Sequence, residues 1–170
     1  MATDAPEIWI VLYLALWFLL PAGDERGRRG LLYGAAGGIV ALIISGLIGV
    51  IWPVPRPFVV DPTKVHLLIH HAADASFPSD HATGSFALAL GLLWGRRGWG
   101  VVGFVIAVLV MWARVFVGVH WPADVVGGMV LGLAVTGLVL LARRQLEPIT
   151  AFFLKNLPRP RPSSGTRSPL

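Results

Sequence analysis

Apolar stretches of about 20 residues recur along this chain, which is the length that an α-helix needs to cross a lipid bilayer. Hydrophobic side chains make up 55% of the 170 residues, and the mean hydropathy is +0.72. The sequence therefore predicts an integral membrane protein of the all-α class, folded as a helical bundle.

Five membrane-spanning helices are predicted. They cover residues 6–21, 31–52, 79–94, 99–119 and 123–142. The first and third span 16 residues each, and at about 1.5 Å of rise per residue they are shorter than the ~30 Å hydrocarbon core. We expect these two to begin in the interface or to thin the bilayer locally. The segment from residue 52 to residue 78 is the largest connection between spans and is called the outer loop below. A short helix over residues 62–72 of this loop, or an interfacial helix near the C-terminus, would give a sixth element.

Three regions are expected along the chain. Residues 1–145 would form the membrane-embedded domain, and residues 146–157 an interfacial helix that rests on Ile149, Phe152 and Phe153. Residues 158–170 are rich in Pro, Ser and Arg and are predicted to be a disordered tail. We assign no catalytic residue to this tail.

The distribution of basic residues predicts the orientation, because short cytoplasmic loops are enriched in Lys and Arg. Eleven of the fourteen fall on one side: Arg26, Arg28, Arg29, Arg96, Arg97, Arg143, Arg144, Lys155, Arg159, Arg161 and Arg167. That side and the C-terminus are predicted to be cytoplasmic. Arg56, Lys64 and Arg114 lie at or near the opposite side, which would face away from the cytoplasm.

The pI of about 10.7 does not indicate a nucleic-acid partner. The basic residues are divided among inner loops and a tail and form no binding stripe. Cysteine is absent, which excludes disulfides and thiolate metal sites.

Small residues four positions apart occur in the predicted spans. The pairs are Gly34 with Gly38, Ser45 with Gly49, and Gly128 with Gly132. Such spacing lets helices approach closely. Packing within one bundle is the simpler interpretation, and a homo-oligomer formed through these faces is the alternative.

Polar residues distant in sequence converge on the outer ends of the predicted spans. Arg56 follows the second span, Ser79, Asp80 and His81 begin the third, Arg114 ends the fourth, and His120 and Asp124 begin the fifth. Ionisable groups at membrane depth are costly and usually face one another or a wet cavity that handles a charged ligand. We therefore expect one active site on this side.

The spacing of His120 and Asp124 suits nucleophilic catalysis. Pro122 is suited to the first position of a helix, so His120 lies just before the fifth span and Asp124 within its first turn. The carboxylate could fix the imidazole tautomer and leave the other ring nitrogen free to attack. His81 could then act as general acid and base.

The remaining site residues indicate a phosphate or pyrophosphate ligand. Ser79 could cap the third span, whose N-terminal N–H groups attract an anion. The guanidinium groups of Arg56 and Arg114 match phosphate oxygens. No metal ion and no other cofactor is needed for this chemistry.

Together these residues resemble the signature of the type 2 phosphatidic acid phosphatase superfamily, K-x6-R-P, P-S-G-H and S-R-x5-H-x3-D. The resemblance covers residues 31–144 and implies that His120 is the nucleophile and His81 the acid. Three positions depart from the pattern: Gly49 stands for the lysine, Asp80 for the glycine and Ala113 for the serine. Asp80 is also predicted to be one of the phosphate-binding residues. Its carboxylate would repel a phosphate unless it pairs with an arginine or points away.

Two runs, from Arg56 to Phe58 and from His71 to Gly84, are similar to one branch of this superfamily, the bacitracin-resistance type undecaprenyl pyrophosphate phosphatases, in which the aspartate at the position of Asp80 is usual. This resemblance implies hydrolysis of a polyprenyl pyrophosphate in a bacterial cytoplasmic membrane, with the active site facing the periplasm or the cell exterior. The reaction would recycle the carrier lipid for cell-wall synthesis. The alternatives are a phosphatase for phosphatidate, phosphatidylglycerophosphate or another prenyl diphosphate, and a non-catalytic protein that binds or transports a lipid phosphate.

The histidines of the outer loop allow two interpretations. His66, His70 and His71 near Asp74 could be metal ligands, but a wet loop over the site explains them equally well. His71 and Asp74 could also contact the head group. Lys64 could replace the missing lysine or be an exposed loop charge.

Overall fold

The computed structural model describes residues 6–20, 24–65, 68 and 71–158. Within these ranges all regular structure is helical. The helices are α1 (Pro6–Leu19), α2 (Glu25–Ile51), α3 (Pro57–Val60), α4 (Asp80–Gly95), α5 (Arg97–Phe116), α6 (Pro122–Leu141) and α7 (Glu147–Asn156), with a 3-10 turn, Ala142–Arg144, after α6. The predicted all-α membrane bundle is confirmed.

Helix α4 forms the centre of the bundle and packs against α2, α5 and α6. Eleven of its sixteen residues are buried, whereas only Gly100 and Ala107 are buried on α5. Three of the described helices are long and apolar enough to cross a membrane, namely α2, α5, and α6 with its 3-10 turn. Helices α1 and α4 are shorter, as the sequence indicated.

Small residues permit the close contacts between helices. A Cβ atom added at Gly91 of α4 would lie 2.5 Å from the carbonyl oxygen of Gly30 on α2. One added at Gly132 of α6 would lie 2.3 Å from that of Thr83 on α4. Gly34 and Gly128 also pack against α4. These small-residue faces are therefore used within the bundle, and oligomerisation stays a prediction.

Helix α2 begins six residues earlier than predicted. Asp24 accepts a hydrogen bond from the Gly27 N–H at 2.9 Å and caps the helix. Arg28, predicted in a loop, is consequently on the helix and buried, with its guanidinium 5.2 Å from the centre of the Trp17 ring. A cap and a cation–π contact thus extend α2 through a polar segment that lacks an apolar pattern.

The outer loop contains its helical turn at Pro57–Val60, earlier than the expected 62–72. Pro57 occupies the first helical position, where its fixed φ is suitable and its missing N–H costs nothing. Residues 62–64 form a turn, and four positions of the expected helix, 66, 67, 69 and 70, lie outside the described residues.

Helix α7 lies at the end of the bundle opposite this loop. Thr150 and Leu154 are buried, while Ile149, Phe152 and Phe153 are exposed. Glu147 pairs with Arg29 of α2. The exposed apolar face fits an interfacial helix, although its position at the membrane surface stays a prediction. The predicted disordered tail, apart from Pro158, lies outside the described residues.

Candidate active site

The four helix ends predicted to meet do so at one end of the bundle. The N–H of Ser79 donates to the carbonyl oxygen of Asp124 at 3.0 Å and joins the start of α4 to the first turn of α6. The indole N–H of Trp121 donates to the Pro55 carbonyl oxygen at 2.9 Å. Backbone and side-chain hydrogen bonds thus fix the outer loop over the beginning of α6.

Glycine shapes the turn that carries His120. Gly118 has a φ of 79°, in the left-handed region that favours glycine. This turn ends α5 and presents Val119 and His120, both buried, to the interior. The sequence reasoning did not identify Gly118, although an isolated glycine between two helical patterns is a turn signal.

His120 and Asp124 form a buried pair. Their side chains are 3% and 2% exposed, and His120 Nδ1 lies 3.5 Å from Asp124 Oδ2. The same carboxylate oxygen accepts the Trp121 backbone N–H at 2.8 Å. Asp124 is therefore fixed by the N-terminus of its own helix and turns towards the imidazole, as its position in the first turn predicts.

Arg56 uses its guanidinium group to join two loops. Its Nε donates to Asp74 Oδ1 at 2.8 Å, and its Nη2 donates to the Ala75 carbonyl oxygen at 3.2 Å. Its Nη1 donates to the Val119 carbonyl oxygen at 2.9 Å and lies 3.4 Å from His120 Nε2. The Arg56 side chain is only 6% exposed, so these contacts fix its position beside the histidine.

The surroundings of His120 select its tautomer. An arginine can only donate hydrogen bonds, so His120 Nε2 faces Arg56 as an acceptor, and Nδ1 carries the proton towards Asp124. Nε2 is therefore the nitrogen with the available lone pair. Burial lowers the pKa of His120, which lies between α5 and α6; the interaction with Asp124 opposes this shift, and the charges of Arg56 and Arg114 add to it. The direction of this shift favours the neutral imidazole.

His81 and Arg114 complete the cluster. His81 is the second residue of α4, and Arg114 lies in the last turn of α5. Arg114, His120, His71 and Arg56 are all close enough to His81 to interact with it electrostatically. The structure thus brings both histidines and both arginines of the predicted site together.

Ser79 occupies the N-cap position of α4, but its side chain makes no capping hydrogen bond, which corrects the predicted role. Among the described residues, Ser79 Oγ has no hydrogen-bond partner. The buried hydroxyl is thus an unused donor, and the first turn of α4 has no side-chain cap.

Asp80 is directed towards α2. Its Oδ1 accepts a hydrogen bond from the buried Ser45 hydroxyl at 2.6 Å. This contact agrees with the alternative in which the carboxylate points away from a phosphate; phosphate binding by Asp80 stays a prediction. The sequence reasoning did not identify Ser45 as a partner, because no local pattern relates residues 35 positions apart.

The position of the missing lysine lies beside the outer loop. A Cβ atom added at Gly49 would be 3.4 Å from the Cβ atom of Ala75. The Lys64 side chain is 83% exposed, and its Nζ lies 2.9 Å from Asp61 Oδ2. This supports the interpretation of Lys64 as an exposed loop charge.

Two of the loop histidines that could be metal ligands, His66 and His70, lie outside the described residues. His71 Nδ1 is 3.9 Å from Asp74 Oδ1. In the part of the chain that the structure describes, no three His, Cys, Asp or Glu side chains are grouped as metal ligands would be.

Two cavities reach the histidines from different sides. One of about 370 Å³ adjoins His120 and is lined by Lys64, Phe116 and Trp121, among others. The second, of about 220 Å³, adjoins His81 and lies between α1, α4 and α5. The cluster is therefore reached both from the end of the bundle that carries Trp121 and from the side of the bundle between α1, α4 and α5.

Comparisons with known proteins agree with the motif analysis. The model of the PAP2 superfamily matches residues 30–147. The chain is 40% identical over 142 residues to the undecaprenyl-diphosphatase BcrC of Bacillus subtilis, covering 82% of this chain and 70% of that protein. It is 45% identical over 134 residues to the putative undecaprenyl-diphosphatase YbjG of Escherichia coli, covering 78% and 65%.

A further relative has another substrate in its name. The chain is 34% identical over 131 residues to a decaprenylphosphoryl-5-phosphoribose phosphatase of Mycobacterium tuberculosis, covering 77% of this chain and 69% of that protein. No solved structure matches the chain.

Proposed function

The chain belongs to the PAP2 superfamily, and from this membership and the geometry of the site we propose that it hydrolyses undecaprenyl pyrophosphate to undecaprenyl phosphate and inorganic phosphate. One observation carries the reaction type: His120 Nε2 faces Arg56 while Nδ1 faces Asp124. The substrate is proposed from the two undecaprenyl-diphosphatase relatives.

The first step forms a phosphohistidine. The Nε2 lone pair of His120 attacks the terminal phosphorus, and the bond from that phosphorus to the bridging oxygen breaks. A protonated His81 gives its proton to the bridging oxygen, so that undecaprenyl phosphate leaves. Asp124 stabilises the positive charge that develops on the imidazole.

The second step releases inorganic phosphate. His81, now neutral, takes a proton from water as the water oxygen attacks the phosphorus. The phosphorus–nitrogen bond breaks, which restores His120 and leaves His81 protonated for the next cycle. Arg56, Arg114 and the Ser79 hydroxyl stabilise the charge on the transferring phosphoryl group.

We also propose that the site faces the periplasm or the cell exterior and that the C-terminus is cytoplasmic. The basic residues at the end of the bundle opposite the site support this orientation through the enrichment of Lys and Arg in cytoplasmic loops. Undecaprenyl pyrophosphate would then be dephosphorylated on the outer surface of a bacterial cytoplasmic membrane.

The test is phosphate release from undecaprenyl pyrophosphate by the purified protein in EDTA. We expect metal-independent release, and a loss of about a thousandfold or more in His120→Ala, because the nucleophile is removed. Asp61→Asn is the matched control, since Asp61 lies in the outer loop and pairs only with Lys64 among the ion pairs described.

Full activity of His120→Ala would contradict the mechanism. Parallel assays with phosphatidate, phosphatidylglycerophosphate and decaprenylphosphoryl-5-phosphoribose test the alternative substrates. A protein that binds these lipids equally well with and without His120, and releases phosphate from none of them, would be a lipid-phosphate binding protein.

A further inference from the structure

The cavity that adjoins His81 is an apolar groove between α1, α4 and α5. Its floor includes Leu88 and Leu92 of α4, and its sides include Leu16 of α1 and Val102 and Ile106 of α5. Among the described residues that line it, His81 is the only titratable side chain. Ser85 contributes the only hydroxyl among these lining residues, and this hydroxyl donates to the His81 carbonyl oxygen at 2.6 Å.

The groove extends from the site into the apolar part of the bundle. On α4 its lining residues run from His81 to Leu92, and on α5 from Val110 back to Trp99. Eleven residues of helix correspond to about 16 Å, roughly half of the ~30 Å hydrocarbon core. Val102 and Ile106 are 53% and 52% exposed, so the side of the groove is open to surrounding lipid.

The proposed reaction determines which cavity the lipid chain can use; this step rests on the proposed function. In phosphoryl transfer the attacking and leaving atoms lie roughly in line with the phosphorus. If His120 attacks, the leaving oxygen is on the far side, where His81 protonates it. The isoprenoid chain is attached to the leaving group, so it must extend from the His81 side.

We propose that the groove between α1, α4 and α5 binds the first part of the isoprenoid chain of the substrate. Its walls are hydrocarbon, its inner end is the proton donor for the leaving group, and its open side admits a lipid from within the bilayer. The cavity beside His120, which includes Lys64, lies on the nucleophile's side and does not receive the chain.

Substitutions at the edge of the groove test this assignment without disturbing the core. Val102→Trp and Ile106→Trp place an indole in the groove. Val101→Trp and Val105→Trp are matched controls, because Val101 and Val105 are on the same helix, are 53% and 57% exposed, and do not line the groove. Each variant is assayed with undecaprenyl pyrophosphate and with dimethylallyl pyrophosphate, which has the same head group and almost no chain.

We expect kcat/KM for undecaprenyl pyrophosphate to fall about tenfold or more in the groove variants, because contacts worth two or more buried methylene groups are lost. Activity on dimethylallyl pyrophosphate should be unchanged, and both control variants should behave like the unmodified protein. Equal effects in groove and control variants, or equal losses on both substrates, would overturn the proposal.

A second measurement uses the unmodified protein. A prenyl pyrophosphate with a benzophenone on its chain should label residues of α4 and α5 along the groove upon irradiation. Labels confined to α2 and α6 would contradict the assignment even if the tryptophan variants failed to fold.

The same experiments distinguish a failure of the groove assignment from a failure of the proposed function. If the unmodified protein releases phosphate only from phosphatidate, the proposed function is wrong. The role of the groove is then tested by the ratio of kcat/KM between the groove variants and the control variants, measured on phosphatidate and on glycerol 3-phosphate.

Discussion

At the scale of single residues, Asp74 forms an ion pair with the guanidinium group of Arg56. Asp74 Oδ1 accepts from Arg56 Nε at 2.8 Å, yet the Asp74 side chain is 54% exposed on the outer loop. The other described partners of Arg56 are backbone carbonyl oxygens and His120. Asp74 is therefore the only one of these partners, apart from His120, that a substitution can remove.

We predict that Asp74→Asn lowers kcat/KM for the lipid pyrophosphate by about tenfold, mainly through a higher KM, because a less firmly positioned Arg56 binds the phosphate less well. Steady-state kinetics of Asp74→Asn, with Asp61→Asn as the control, measure this effect. A lower KM in Asp74→Asn would mean instead that Asp74 competes with the phosphate for Arg56, and would contradict a positioning role.

The sequence predicts the residues of the site but not their partners. Arg56, His81, Arg114, His120 and Asp124 are identifiable because each lies near a helix end, and the helix ends follow from the limits of the apolar stretches. The contacts of Asp74 with Arg56 and of Ser45 with Asp80 join residues 18 and 35 positions apart. Such contacts depend on how the outer loop and the helices pack, which the apolar stretches do not determine.

At the scale of helices, the contact between α4 and α6 aligns the two halves of the site, since α4 carries His81 and α6 carries Asp124. Gly132 permits this contact, because a Cβ atom there would lie 2.3 Å from the Thr83 carbonyl oxygen. A backbone oxygen cannot move aside without moving the helix. At Gly137 of the same helix, an added Cβ would meet no atom within 4 Å.

We predict that Gly132→Ala destabilises the fold by about 1–3 kcal/mol through overpacking and also reduces phosphatase activity. Gly137→Ala should be neutral or slightly stabilising, because alanine favours the helix over glycine. Thermal unfolding of both variants in detergent, together with their activities, measures the difference. Equal melting temperatures would show that the contact between α4 and α6 tolerates a methyl group.

The helices differ in how completely the sequence determines them. The apolar runs that give α5 and α6 predict their positions closely, because a lipid-facing helix needs an uninterrupted apolar stretch. The start of α2 was missed because Asp24 and Trp17 stabilise a polar turn that has no apolar pattern. The position of α3 depends on Pro57 at its first turn, a signal weaker than hydrophobic periodicity.

At the scale of the whole molecule, the candidate site and helix α7 lie at opposite ends of the bundle. Arg56, His81, Arg114 and His120 gather at one end, whereas α7, with Lys155 near its C-terminus, lies at the other. In the proposed function, a substrate enters laterally through the groove and reacts at the outer side of the membrane. This requires the end of the bundle that carries α7 to be on the cytoplasmic side. The orientation of the chain is therefore part of the proposed function.

Cysteine labelling can measure this orientation, because the chain contains no cysteine of its own. Lys64→Cys introduces a thiol on the exposed outer loop, and Lys155→Cys introduces one on α7, where the side chain is also exposed. We predict that a membrane-impermeant maleimide labels Lys64→Cys in intact spheroplasts and labels Lys155→Cys only after permeabilisation. The reverse pattern would place the site in the cytoplasm, where hydrolysis of undecaprenyl pyrophosphate at the outer surface of the membrane would be impossible for this protein.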